Sequence, residues 1–434
     1  MPIEPTTASP RALPVHAAMD QFVVTNGELS VGGLTVSQLA ERAGQTPFYV
    51  YDRALIQRRV AELRRSLPPG LHLHYAMKAN PMPAVVALLA RGDSAVDGID
   101  VASGGELAVA LAQGADPRHI SFAGPGKREG ELRLAVQAGI VVNAESSREV
   151  ATLARLAGEI GRPARVALRV NPDFELKASG MKMGGGAKPF GIDVDQIAAV
   201  LAEMATHAPP GSLTSAAPGG LLFEGFQIFA GSQSLSAQAI VDAQQNAYAL
   251  ALRLAKLTTA PVKTLNLGGG FGIPYFPGER RLDVAPIAAN LQALVTRAKT
   301  ELPQAQLVLE LGRYLVGEAG LYVTRVVDRK VSAGQVFLVT DGGMHHHLAA
   351  SGNFGQVVRK NYPVTIGNRV DATVRERVTV VGPLCTPLDV LADRMDLPPA
   401  QVGDLVAVFQ SGAYGLSASP RGFLGHPDCV ELLV

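Results

Sequence analysis

Short apolar β-rich runs alternate with helix-like stretches from Pro47 onward, and this alternation limits the possible folds more than any other feature of the sequence. Strands are predicted at His72–Met77, Gly98–Ala102, Ile120–Ala123, Ile140–Val142, Arg165–Val170, Phe223–Phe229, Thr264–Leu267 and Leu307–Glu310. Amphipathic segments follow at Glu106–Gln113, Glu129–Gln137, Ser147–Ile160, Val194–Ala205, Ala237–Leu257 and Val284–Glu301. Repeated strand–helix units of this kind predict a (β/α)8 barrel. A doubly wound sheet would need a Gly-x-Gly-x-x-Gly turn after the first strand, and the sequence has none there.

The pattern changes after about Val323, where predicted strands follow one another without long helices. These strands are Val336–Thr340, Arg377–Val381, Leu405–Phe409 and Val430–Val434, with a short helical piece near Phe354–Lys360. A β-rich domain therefore follows the barrel. We expect a disordered tail over residues 1–20, a segment over residues 21–45 that packs on the β domain, the barrel over residues 46–320 and the β domain over residues 321–434.

The overall composition argues against several classes of protein. A net charge of +1 creates no field for nucleic acid or an anionic membrane, so neither is an expected partner. No apolar run reaches the ~18 residues that a membrane-spanning helix requires. The two cysteines, Cys385 and Cys429, cannot form a disulfide framework and suit a reducing compartment. We therefore expect a soluble cytoplasmic protein.

Chemically reactive residue types recur directly after the predicted barrel strands. In strand order they are Lys78, Ser103 with Glu106, Gly124–Lys127, Glu145, Arg169 with Asn171, Ser232, Gly268–Gly270, and Glu310 with Arg313. Barrel enzymes place their active sites at the carboxyl ends of the strands. The accumulation predicts an active site on this rim, and the glycine-rich stretch Lys182–Lys188 is a candidate active-site loop.

Four features of the rim suggest a particular chemistry. A desolvated amine has a lowered pKa and can form a Schiff base with an aldehyde such as pyridoxal phosphate (PLP). Lys78 is a candidate for this chemistry, and the alternative is a rim lysine in an ion pair. The Gly268–Gly270 turn lets backbone amides approach an anion, and Arg313 could add a charged contact. Glu310 could keep a pyridine nitrogen protonated, or form a buried ion pair with Arg169 or Arg313.

The predicted β domain carries two turns of small residues. Gly382–Asp389 sets Cys385 on a Gly/Pro turn, where a cysteine can be exposed and transfer a proton instead of packing as a small apolar residue. Gln410–Gly415 carries Tyr414. The run His345–His347 suggests a metal site, but consecutive residues of a strand face opposite sides, so no metal is expected.

Several motifs together resemble the fold-type III PLP-dependent decarboxylases, the family of diaminopimelate and eukaryotic ornithine decarboxylases. The matching motifs are Tyr75–Asn80, Asp100–Glu106, Gly268–Gly272, Glu310–Arg313, Gly382–Cys385 and Gly412–Tyr414. The resemblance implies an alanine racemase-like barrel with a β domain, and a Schiff base between Lys78 and PLP. It implies that Cys385 protonates the carbanion, reaching in from the second subunit of a head-to-tail homodimer with shared active sites. The remaining cofactor-binding residues that it implies are Arg169, Ser232, Gly269, Gly270, Glu310, Leu311, Gly312, Arg313 and Tyr414.

The sequence departs from the family pattern at the substrate side. Phe229 stands where the family stacks a histidine on the cofactor ring, and Thr386 stands where an acidic residue usually binds the distal ammonium of a diamino acid. Met344–Leu348 replaces an Arg-Pro-x-Leu-Tyr run that binds a distal carboxylate. Free ornithine and free diaminopimelate are therefore unfavourable substrates. Phe229, Thr386 and Asp389 are the candidate substrate-binding residues.

A closer resemblance covers nearly the whole chain. Its motifs are Lys182–Gly185, Gly231–Gln233, Gly270–Phe276, Asp341–His347, Gly382–Pro387 and Phe423–Pro427, and they are similar to two groups. One group is the butirosin-pathway decarboxylase of glutamyl groups on an acyl-carrier protein, and the other is the exosortase A-associated PLP decarboxylases. The resemblance implies decarboxylation of an amino acid at its α-carboxylate, with an acyl-carrier protein as a possible partner.

Three alternatives stay open at this point. The first is diaminopimelate decarboxylase-type activity on a free diamino acid. The second is a racemase on the same barrel, against which the Cys385 turn argues. The third is a PLP-binding regulator without activity, which would be expected to lack Lys78 or Cys385, whereas both are present.

Overall fold

The computed structural model describes residues 15–92, 94–176, 179–207, 219–258 and 260–434. Residues 1–14, most of the predicted tail, lie outside this part of the chain. The remaining tail residues contact the barrel. The Gly278 amide donates a hydrogen bond to the carbonyl oxygen of Val15 (2.8 Å), and Asp20 forms an ion pair with Arg281 (2.6 Å).

The described chain begins with a small antiparallel sheet and a helix. The elements are β1 (Val23–Thr25), β2 (Glu28–Val31), β3 (Leu34–Thr35) and α1 (Val36–Ala43), followed by β4 (Phe48–Tyr51) and α2 (Arg53–Ser66). Helix α1 begins at a capping box, in which the Thr35 hydroxyl accepts a hydrogen bond from the Gln38 amide (3.3 Å) and the Gln38 side chain accepts one from the Thr35 amide (3.0 Å).

The next part of the chain alternates strands and helices. Its elements are β5 (His72–Ala76), α3 (Pro83–Ala90), β6 (Gly98–Val101), α4 (Gly104–Ala112), β7 (Ile120–Phe122), α5 (Glu129–Ala138), β8 (Val141–Ala144), α6 (Ser147–Ile160), β9 (Ala164–Asn171), β10 (Ser179–Lys182), β11 (Ile192–Asp193), α7 (Ile197–Thr206), β12 (Leu221–Ile228), β13 (Gly231–Ser234), α8 (Ala237–Ala255), β14 (Thr264–Gly269), α9 (Ala285–Glu301), β15 (Gln306–Leu311) and α10 (Arg313–Val316). None of the helices within the described ranges is long and apolar enough to cross a membrane.

The strands β5, β6, β7, β8, β9, β12, β14 and β15 form a closed parallel barrel in that order, with β15 returning to pair with β5. This confirms the predicted barrel.

Local signals fix the ends of the barrel helices. The hydroxyls of Ser103 and Ser146 each accept a hydrogen bond from a backbone N–H three residues further on (3.1 and 3.2 Å), where α4 and α6 begin. Gly139 and Gly161 end α5 and α6 in the left-handed conformation, at φ of 76° and 71°.

The second domain is built from antiparallel and mixed sheet around one long strand. Its strands are β16 (Gly320–Ser332), β17 (Gln335–Thr340), β18 (Val364–Ile366), β19 (Glu376–Val381), β20 (Val390–Leu397), β21 (Leu405–Val408) and β22 (Val430–Leu433). The first half of β16 pairs with β4 and β21, and its second half pairs with β17. Strand β4, which falls within the range 46–320 expected for the barrel, lies between β16 and β22 in this sheet.

The N-terminal segment shares an apolar cluster with the β domain. Phe22, Leu29 and Leu39 are buried against Phe48 and Leu321. This cluster is separate from the larger core of the barrel. Burial of apolar surface therefore holds β1 to β3 and α1 on the sheet.

The predicted helical piece at Phe354–Lys360 is wrong. This stretch forms turns and irregular backbone. Gly352 and Gly355 have φ angles of 83° and 86°, a left-handed backbone that ends helical geometry at the start of the segment. The apolar residues that suggested a helix instead leave Val357 fully exposed.

The β domain contacts the carboxyl rim of the barrel in the same chain. The Tyr414 amide donates a hydrogen bond to the carbonyl oxygen of Ala79 (2.7 Å), and the Asn80 side chain donates one to the carbonyl oxygen of Gly412 (3.1 Å). These bonds attach the turn that carries Tyr414 to the turn that follows β5. The rim is therefore bordered on this side by the second domain.

Candidate active site

A cavity of about 330 Å³ opens at the carboxyl ends of the barrel strands. Many of the residues predicted for the site line it together: Lys78, Arg169, Phe229, Ser232, Gly270, Glu310, Leu311, Gly312, Arg313 and Tyr414. Gly269 lies directly behind this lining, where a Cβ atom would come within 2.0 Å of the carbonyl oxygen of Glu310. The closed barrel thus brings together side chains that are far apart in the sequence.

Lys78 lies on a short 3-10 turn, Met77–Ala79, between β5 and α3. Met77 and Ala79 on either side of it are buried, whereas Lys78 is exposed. Its Nζ atom is 5.5 Å from the centre of the Phe229 ring. The turn therefore exposes the Lys78 side chain to the cavity, which differs from the desolvation expected from its apolar neighbours. Lys78 forms no ion pair with a described carboxylate.

Glu310 is buried at the floor of the cavity, where two amides hold one of its oxygens. The Gln227 side chain donates to Oε2 at 2.8 Å, and the Asn266 side chain donates to the same oxygen at 3.2 Å. Burial raises the pKa of Glu310 and the nearby Asp100 carboxylate raises it further, while Lys78 opposes this. The carboxyl group therefore binds a proton more readily than an exposed glutamate does.

Arg169 is paired with Glu145 and not with Glu310, which excludes one of the two ion pairs considered for Glu310. The guanidinium donates to Glu145 Oε1 at 2.9 Å. The same carboxylate accepts hydrogen bonds from the amides of Gly124 (2.5 Å) and Gly191 (2.9 Å). Glu145 therefore fastens the loop after β7 and the end of the glycine-rich loop to one strand end.

The opposite end of the cavity is suited to an anion. Gly268 and Gly270 have φ angles of 69° and 78°, and a Cβ atom on Gly270 would lie 2.8 Å from the carbonyl oxygen of Gly231. The Arg313 guanidinium carbon lies 4.6 Å from the centre of the Tyr414 ring, and its buried Nε has no hydrogen-bond partner among the described residues. A buried donor without a partner costs free energy, so a bound phosphate would relieve this position.

The loop that contains the glycine-rich stretch contributes apolar side chains to the cavity, and these side chains were not among the predicted site residues. Met181, Met183 and Phe190 come from the loop between β9 and α7 and line the outer part of the cavity. Phe354, from the β domain, lines it as well. The glycines of Lys182–Lys188 indicated a loop, but the apolar residues on either side of them were the signal for its place in the cavity lining.

Three predicted residues of the β domain do not line the cavity of their own chain. Cys385 is exposed and Thr386 is half-buried on the turn before β20. Asp389 is buried, and its two oxygens accept hydrogen bonds from the amides of Met344 (2.6 Å) and Leu384 (2.9 Å). Its carboxylate thus holds this turn in place.

The remaining candidate residues of the β domain are Tyr414, the histidine run and Cys429. Tyr414 lines the cavity of its own chain. The histidines His345–His347 are buried, and the ring of His347 contacts the Ser411 hydroxyl at 2.9 Å. Burial raises the pKa of the second cysteine, Cys429, so its thiol is not reactive.

An unpaired amine, an anion cradle and a buried carboxylate around one cavity are the features of a PLP enzyme. The described residues fit this cofactor: Gly270 and Arg313 would hold its phosphate, and Glu310 would face its pyridine nitrogen. PLP supplies an electron sink to a reaction at the carbon next to an amine.

Comparison with known proteins gives the family. A family model described as pyridoxal-dependent decarboxylase, pyridoxal binding domain, matches residues 53–317. The chain is 40% identical over 394 residues to L-glutamyl-[BtrI acyl-carrier protein] decarboxylase of Niallia circulans, covering 90% of this chain and 89% of that protein. It is 33% identical over 413 residues to diaminopimelate decarboxylase of Aquifex aeolicus, covering 94% and 91%.

Solved structures give the same result. Diaminopimelate decarboxylase from M. jannaschii, in co-complex with L-lysine, has a TM-score of 0.82 at 25% identity and covers 96% of this chain and 93% of that one. The chain therefore belongs to the pyridoxal-dependent decarboxylase family, and it is a PLP-dependent carboxy-lyase. This confirms the resemblance and the cofactor that it implies.

We predict that PLP attaches to Lys78. Lys78→Ala should lose the cofactor that borohydride fixes covalently to the protein, because no other lysine lines the described part of the cavity. Intact mass after reduction measures this directly. Lys263→Ala, which removes a lysine next to the amino end of β14, is the matched control and should retain the fixed cofactor. A Lys78→Ala protein that still carries reduced cofactor would contradict the assignment.

Proposed function

We propose that the enzyme removes the α-carboxylate of an amino acid whose distal end carries no charge, as in a glutamyl group linked to an acyl-carrier protein. The observation that carries this proposal is the lining of the outer cavity, which Met181, Met183, Phe190 and Phe354 form. This surface is apolar. It favours a neutral amide or thioester over a charged group.

The charges around the described cavity are already committed. Its only carboxylates, Asp100 and Glu310, lie at the floor. A distal ammonium would therefore find no free counter-charge among the described residues of this cavity, at a cost of several kcal/mol. A distal carboxylate would meet Arg169, but Glu145 already neutralises that guanidinium. The relative from Niallia circulans, named for a glutamyl group on an acyl-carrier protein, supports a substrate of the proposed type.

In the proposed reaction the chain's own residues bind, orient and protonate. Lys78 lies at the cavity wall, where its amine can exchange with that of the substrate. Glu310 would hold the proton on the ring nitrogen, which prepares the cofactor to accept the electron pair left by departing CO2. Apolar side chains of the loop after β9 would exclude water from this step. Cys385 would then donate a proton to the substrate carbon.

We also propose that Cys385 acts in the cavity of a second copy, in a head-to-tail homodimer. The thiol is exposed outside the lining of its own cavity, and Leu388 on the same turn is 57% exposed. Phe354, Val357 and Val358 add exposed apolar surface beside the cavity mouth. The Asn353 side chain donates a hydrogen bond to the carbonyl oxygen of Leu388 (3.2 Å), so the two segments are adjacent, and apolar surface exposed by both is typical of an interface.

The cellular setting that we propose is based on the sequence. Both cysteines are free thiols, which suits the cytoplasm. The similarity of Asp341–His347 and Phe423–Pro427 to the exosortase A-associated group supports a role beside polysaccharide export. The main alternative is diaminopimelate decarboxylase-type activity, which the Aquifex aeolicus relative supports.

A comparison of substrates tests the proposed specificity. We expect the carrier-linked glutamyl substrate to be decarboxylated much faster than free ornithine, lysine or meso-diaminopimelate, because an unpaired distal charge weakens binding by roughly 10²-fold or more. Amine release gives kcat/KM for each. A value for free diaminopimelate in the usual enzyme range, about 10⁴ M⁻¹s⁻¹ or above, would establish the alternative activity instead.

Subunit mixing tests the shared site. Lys78→Ala and Cys385→Ala are each expected to be inactive. After exchange of subunits, about half of the dimers are mixed and each mixed dimer has one intact site, so roughly a quarter of the wild-type activity should return. Mixing Lys78→Ala with Lys78→Arg is the control and should restore none. No recovery in the first mixture, with exchange demonstrated by mass, would show that the sites are not shared.

A further inference from the structure

A buried histidine lies beneath the cavity floor and has no place in the reaction described above. His74 is in β5, 8% exposed, and pairs in register with Glu310 of β15. On its other side, its Nδ1 atom lies 3.1 Å from Asp100 Oδ1, on β6. His74 therefore lies on the strand between β6, which carries Asp100, and β15, which carries Glu310.

Asp100 has one oxygen with partners and one without. Oδ1 contacts His74 and accepts a hydrogen bond from the Ser121 hydroxyl, which in turn accepts one from the Asn143 side chain at 3.1 Å. Oδ2 is buried and has no hydrogen-bond partner among the described residues. Asp100 also lines the cavity. Two buried carboxylates at one floor repel each other unless a cation is shared between them.

The carboxylates around His74 favour the protonated form of its ring. Burial by itself lowers the pKa of His74, but Asp100, and then Glu310 and Asp97, more than offset it and raise the pKa overall. The same Asp100 carboxylate also raises the pKa of Glu310. A protonated His74 therefore compensates the charge of Asp100, which would otherwise drive Glu310 towards its neutral form.

His74 also reaches the other end of the barrel. It lines a second cavity, of about 200 Å³, together with His72, His119, Arg118 and Arg165. His72 lies beside His74 but does not contact Asp100; burial lowers the pKa of His72, Asp97 opposes this, and His74 lowers it further. His74 can therefore exchange its proton with this second cavity while the active site is closed by substrate.

We propose that His74 is a positioning residue that keeps Glu310 ionised against the cofactor by neutralising Asp100 from beneath the active-site floor. This inference concerns the bound cofactor and does not depend on which amino acid is the substrate. Once the pH rises through the range where His74 loses its proton, the charge of Asp100 is uncompensated, and its repulsion makes a second ionised carboxylate at Glu310 more costly. Glu310 then becomes a poorer partner for the ring nitrogen of PLP, and cofactor binding weakens.

The first test is a titration of the unaltered full-length protein, with and without PLP. Nuclear magnetic resonance of ring-labelled histidine should show His74 titrating above the ordinary value of about 6.5. Asp100→Asn should lower this value by about one unit or more. A His74 that titrates below the ordinary value, or that does not respond to Asp100→Asn, would overturn the proposal.

The second test compares matched histidine variants. His74→Gln should weaken PLP binding, measured by equilibrium dialysis near neutral pH, by about tenfold, which corresponds to one unit of pKa. It should also remove the pH-dependent change in the absorbance of bound PLP. His72→Gln should bind PLP within about twofold of wild type and keep the pH dependence. If His74→Gln retains the wild-type pH profile, His74 has only a packing role; if the variant does not fold, the titration of the unaltered protein still decides.

Discussion

The hydrogen bonds that hold Glu310 inside the barrel connect the fold to the chemistry. A buried carboxylate is costly unless polar partners surround it, and here the partners come from Gln227 of β12 and Asn266 of β14. Asn266 also accepts a hydrogen bond from the Gly268 amide at 2.8 Å. One side chain therefore sets the carboxylate and the anion turn relative to each other. This arrangement exists only when the barrel is closed.

The second domain completes the site instead of merely adjoining it. Strand β16 continues from the end of the barrel into two sheets, which brings the Tyr414 turn back to the rim. There the Tyr414 amide bonds to Ala79, next to Lys78, while its ring lies against the Arg313 guanidinium. The reactive amine and the anion cradle are thus both held by contacts between domains. The Cys385 thiol of the same domain is exposed.

The sequence was sufficient for the barrel because its signals are local. Strand–helix alternation, serine caps and glycine stops such as Ser146 and Gly161 act over a few residues, and the residues that follow strands meet by topology alone. Contacts between residues that are distant in the sequence could not be predicted from such local signals. The burial of Asp389 depends on a distant amide of Met344, and the exposure of Lys78 on a turn that an apolar pattern does not show. The pairing of His74 with Asp100 likewise appears only once β5 and β6 are neighbours.

The central claim is that one cavity holds PLP, with Arg313 and the glycine turn at its phosphate. The most direct measurement compares the dissociation constants of PLP and of pyridoxal, which lacks the phosphate, in wild type and in Arg313→Met. A charged hydrogen bond of about 1.5–3 kcal/mol predicts that the variant loses roughly 10- to 100-fold in affinity for PLP and little for pyridoxal. Equal losses for both ligands, or none for either, would contradict this account of the site.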